Sequence, residues 1–98
     1  MSIVFDPELM ELITKIDESI TDVAVDIVNI VKKNKKSIKD LDEKRGFYFD
    51  LKFSLGNLEK IGLMTCDEGD KNMIPKIIEN SKKVLEKFKN KKHYHQNK

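Results

Sequence analysis

Apolar residues recur at three- and four-residue intervals through most of this chain, a spacing that suits packed helices and little else. Leu9, Leu12, Ile13 and Ile16 form the first such run, with Met10 beside them. Asp6-Pro7-Glu8 reads as its start: a side-chain acceptor at the cap, proline where its missing N–H costs nothing, and an acid in the first turn. A stop or bend is expected around Asp17-Glu18-Ser19, with Ser19 or Thr21 capping a second helix. There Ile20, Val23, Ala24, Ile27, Val28 and Val31 make a wide apolar stripe, so this helix is expected to be the most buried element. Lys32, Lys33 and Asn34 close it.

Ser37-Ile38-Lys39-Asp40 resembles a capping box with Asp in place of Glu or Gln. It opens a short helix carrying Ile38 and Leu41 inward, which Gly46 is expected to end. Phe47 to Ile61 forms the next helix, with Leu51, Leu55, Leu58 and Ile61 on its inner face and Gly62 as its stop. Leu63-Met64-Thr65-Cys66 and Asn72-Met73-Ile74 read as two short strands, joined by the polar tip Asp67-Glu68-Gly69-Asp70-Lys71. Pro75 then opens a last helix with Ile77, Ile78, Val84 or Leu85, and Phe88 on one face. From Asn90 the chain turns Lys-, His- and Asn-rich, and residues 93–98 read as a flexible basic tail. Residues 1–92 are expected to make a single domain.

Charge is segregated along the chain. Residues 1–31 hold one Lys against seven acids, and residues 32–45 hold seven cations against three acids. Residues 46–81 hold four Lys against six acids, whereas 82–98 hold seven Lys against one Glu. The overall +2 conceals these fields, which would draw a polyanion to the second and fourth blocks. No apolar run reaches the ~20 residues of a membrane span, the start lacks a secretory signal, and one cysteine makes no internal disulfide. An intracellular, cytoplasmic protein without membrane contact is expected, in a host cell if the source is viral.

The string Leu55-Gly56-Asn57-Leu58-Glu59-Lys60-Ile61-Gly62-Leu63-Met64, with Ser37-Ile38-Lys39-Asp40-Leu41 and Gly46 ahead of it, resembles the winged helix-turn-helix of ArsR- and MarR-type transcriptional regulators, in a small archaeal or viral form. It resembles the family's L-x-x-L-E-x-x-G-L-V, where the recognition helix passes into the wing, and the likeness covers roughly residues 20–76. It implies a mainly α fold with a small β-hairpin, a winged helix-turn-helix with extra N- and C-terminal helices. It further implies a sequence-specific double-stranded DNA-binding regulator, with residues 47–61 in the major groove and a wing at 63–74. Tyr48, Lys52, Phe53 and Asn57 would then contact bases: Asn suits adenine, Lys guanine, and an aromatic the thymine methyl. Lys35, Lys36, Ser37 and Lys39, with Lys71 in the wing, would contact phosphate.

A lone winged domain reads one half-site, so a homodimer is expected, built from the flanking helices through Leu9, Leu12, Ile13, Ile16, Ile77, Val84, Leu85 and Phe88. The acidic wing tip and N-terminal block favour a different class: a protein-interaction module, either a degenerate winged helix or a helical-bundle immunity or antitoxin-type protein, binding a basic partner. Enzyme chemistry finds no nucleophile elbow, phosphate loop or metal-spaced His/Cys set, so no catalytic residue, metal or cofactor is expected. Cys66 reads as an inert thiol, His93 and His95 as tail residues, and Asp67-Glu68-Gly69-Asp70 as a turn without the spacing of a calcium loop.

Overall fold

The computed structural model describes residues 7–33, 38–64 and 73–96, with side chains for 7–33, 39–63 and 73–90. These residues form three long α-helices: α1 (Pro7–Lys33), α2 (Ile38–Met64) and α3 (Met73–Gln96). Four residues separate α1 from α2 and span at most about 18 Å, less than half the ~40 Å length of either 27-residue helix. Since they pack side by side, the two must run antiparallel. A part-buried ion pair between the second half of α1 and the first half of α2, Lys44 Nζ to Asp26 Oδ2 at 3.0 Å, fixes that register. The rings of Phe47 and Phe88 meet edge-on at 6.2 Å, laying the later half of α3 against the early half of α2, again antiparallel. Lys82 Nζ, 2.6 Å from Glu8 Oε1, ties α3 to the start of α1. The result is an up-down-up bundle of 51 × 22 × 18 Å, with α2 packed between its neighbours.

The core takes Leu9, Leu12, Ile16 and Val23 from α1, Leu51, Leu58 and Ile61 from α2, and Leu85 and Phe88 from α3. Ile13, Ile77 and Val84 pack around it, half-buried. All eight residues expected in a dimer seam thus lie in or against the core of a single chain. The stripes carrying them are satisfied within the chain, because three long helices bury one another's apolar faces.

Among the described residues there is no strand and no winged fold: all of them lie in three helices. Leu63 and Met64 finish α2, and Met73 and Ile74 begin α3; the expected strand residues Thr65, Cys66 and Asn72 and the polar tip lie outside the described residues. Two- and three-residue apolar runs carry no periodicity of their own, and here they extend adjacent helices. Pro75 sits third in α3, inside the first turn, where backbone N–H groups have no helical acceptor in any case.

The breaks expected at Asp17-Glu18-Ser19 and at Gly46 are absent, and α2 runs two residues past the stop expected at Gly62. α1 continues through Asp17-Glu18-Ser19, and Thr21 Oγ1 donates to the Asp17 carbonyl at 3.1 Å, so the hydroxyl that was to cap a new helix is satisfied inside the old one. α2 continues through Gly46, where no left-handed backbone is needed and a Cβ would meet nothing within 4 Å. Glycine inside a helix costs only about 1 kcal/mol, which burial of Phe47, Leu51 and Leu58 outweighs. The second half of α1 is also less buried than its stripe implied: Val23 is enclosed, but Val28 and Val31 are 50% and 60% exposed.

Candidate interaction surface

α2 has apolar residues on two sides. Its inner side carries Leu51, Leu58 and Ile61 into the core. Its outer side carries Asp42, Gly46, Phe49, Phe53, Gly56, Lys60 and Leu63, spaced four, three, four, three, four and three apart and all exposed. At about 100° per residue this spacing holds them on one ridge along the helix. Phe49 and Phe53 stand on it one turn apart, 66% and 71% exposed. Phe49 is braced by the edge of Tyr48, ring centroids 5.7 Å apart, and Lys52 Nζ lies 5.4 Å from the Tyr48 centroid. The glycines on either side of the pair have open space where a Cβ would stand, so the rings rise above bare backbone. Asp42, Arg45, Glu59 and Lys60, along the same side, make no ion pair among the described residues.

The four expected base readers do not form one surface. Lys52 and Phe53 face outward, but Tyr48 and Asn57 are half-buried. Nine residues apart, those two are half a turn round from each other and cannot enter one groove together. Lys39 is exposed near the start of α2; Lys35, Lys36, Ser37 and Lys71 lie outside the described residues. Phe49, Arg45 and Lys60 were missed. The signal for Phe49 and Lys60 was the second four-three stripe from Asp42 to Leu63, hidden by treating Gly46 as a helix end; Arg45 flanks that stripe.

Asn57 instead lines a cleft of about 220 Å³ between α2 and α3, with Asp50, Phe53, Ser54, Ile77, Asn80, Ser81 and Val84. Ser54 and Ser81 are seven residues inward from Phe47 and Phe88, and so form the next layer of the same antiparallel seam. Both are buried, and Ser81 Oγ has no hydrogen-bond partner among the described residues. An unpaired buried hydroxyl costs free energy that alanine does not. Ser81→Ala should therefore raise the unfolding free energy by about 1 kcal/mol in urea titration; a loss would mean that the hydroxyl has a partner in solution.

Charge follows the helices: α1 holds six acids against three Lys, α2 five of each sign, and α3 seven Lys against two Glu. On α1, Glu11 is held below the ordinary carboxylate range, first by its hydrogen bond to Lys15 and then by that ammonium's charge. Among the described residues no three of His, Cys, Asp and Glu come together as a metal ion requires. The side chains of His93 and His95, and all of Cys66, lie outside them. No described helix is long and apolar enough to cross a membrane. No protein-family model, curated protein or solved structure matches the chain.

Proposed function

We propose that this chain is a protein-interaction module, a helical bundle that binds a helix of a protein partner along the outer ridge of α2. The observation that carries this reading is the Phe49/Phe53 pair, exposed one turn apart on a stripe with the spacing of a helix-packing seam. Covering each ring is worth about 1.5–3 kcal/mol. Exposed apolar patches rimmed by charge mark contact sites, and aromatic and Arg side chains carry most of the energy in such contacts. Arg45 and Lys52 beside the rings supply that rim.

Double-stranded DNA is the second reading, favoured by Arg45, Lys52 and Lys60 on one side of α2 and by the exposed Phe53. Against it stand Asp42, Asp50 and Glu59, which cancel the cations of a surface that DNA would need strongly positive.

A photo-crosslinking benzoylphenylalanine at position 53, in the cells that make the chain, tests both. The protein reading expects crosslinks to discrete proteins, lost when the probe moves to position 83 on α3. Crosslinks to nucleic acid alone would overturn it in favour of DNA.

A further inference from the structure

We infer that the helix received by the α2 ridge is α2 of a second copy of this chain, lying antiparallel about a two-fold axis level with Leu51. This rests on the reading of the ridge as a protein-binding surface and names its partner. Counted outward from position 51, the ridge between Asp42 and Lys60 mirrors itself in size and opposes itself in charge. Two residues out lie Phe49 and Phe53, five out lie Gly46 and Gly56, and nine out lie Asp42 and Lys60. All six are exposed.

An antiparallel copy sets each of these ridge positions against its mirror. Phe49 then packs on the partner's Phe53, Gly46 lies opposite the partner's Gly56, and Asp42 meets the partner's Lys60. Two-fold symmetry makes each contact twice. The heptad register agrees, because antiparallel helices pair each position of one seam class with the other. Here Asp42, Phe49 and Gly56 form one class, and Gly46, Phe53 and Lys60 the other. The glycines supply the room: with no side chain at 46 or 56, the aromatic rings of the facing helix lie against backbone. On one flank Arg45 comes within a turn of the partner's Glu59, and neither makes an ion pair among the described residues of its own chain.

Parallel pairing fails the same test, since it sets Asp42 on Asp42 and Lys60 on Lys60. In the antiparallel arrangement only Asp50 and Lys52 approach their own symmetry mates. Both are exposed flank residues, where like charges cost little.

Sedimentation of the purified full chain from about 5 to 500 µM tests the pairing. The expected result is a concentration-dependent dimer that Phe53→Glu converts to monomer without changing helix content. Asp42→Lys and Lys60→Asp should each weaken the dimer about tenfold, and the double reversal should restore it. A parallel dimer would not show that rescue. A chain monomeric at every concentration, a dimer indifferent to Phe53→Glu, or charge reversals without rescue would each overturn the inference. If the chain is monomeric but position 53 crosslinks a different protein in cells, the ridge remains a binding surface and only the partner is wrong. If position 53 also crosslinks no protein, both readings fall.

Discussion

Truncating Leu51 to alanine should remove about 3–5 kcal/mol of stability. Leu51 is 0% exposed, lies near the middle of α2, and belongs to the core shared by all three helices. The loss combines the transfer free energy of the deleted carbons with the cavity left behind, and a site enclosed by three rigid helices has little freedom to collapse into it. A domain of this length is stable by about 5–15 kcal/mol, so the variant should unfold at a much lower urea concentration, with an unchanged slope. Leu63→Ala is the matched control: at 52% exposure, the same chemical change should register within about 0.5 kcal/mol. Equal effects at the two positions would mean that the inner and outer sides of α2 have been assigned wrongly.

Phe88→Ala should cost a similar amount, about 3–5 kcal/mol. Its ring is 4% exposed and meets Phe47 edge-on, with 69° between the planes. Periodicity alone allows Phe88 to serve a seam between chains, and the two assignments differ in how stability responds to dilution. A residue buried within one chain gives the same loss at about 5 and 200 µM. A residue between chains gives a loss that changes with concentration, because association is then part of folding. A double-mutant cycle with Phe47→Ala should recover about 0.5–1.5 kcal/mol of coupling from the ring pair.

Leu9, Leu12, Ile16, Leu51, Leu58, Ile61 and Phe88 were legible as buried positions, since helical spacing identifies the face a helix hides. It does not identify what hides it, and so the same spacing allows a seam between chains as well as the core of one chain, where the structure places these residues. Continuity was less legible. Asp17-Glu18-Ser19 and Gly46 carry the local preferences of helix ends, worth about 1 kcal/mol or less each. Packing along three 24- to 27-residue helices outweighs that. Once Gly46 is taken as an end, residues 38–45 and 47–61 become separate helices. Asp42, Gly46 and Phe49 then no longer line up with Phe53, Gly56 and Lys60. Lys52 and Phe53 were still legible as outward-facing, because they lie opposite the leucines of their own segment. Tyr48 and Asn57 were grouped with them without regard to angle, and each in fact leans toward a neighbouring helix.

The continuity of α2 decides both the fold and the ridge, and Gly46→Ala tests it most directly. The comparison belongs in the Phe53→Glu background, which removes the proposed pairing between copies, with Gly56→Ala as the reference for a glycine inside a helix. An unbroken α2 predicts that both substitutions raise the unfolding free energy by about 1 kcal/mol, with helix content unchanged. Stabilisation at position 56 with destabilisation at position 46 would contradict it, and would mean that the chain turns at Gly46.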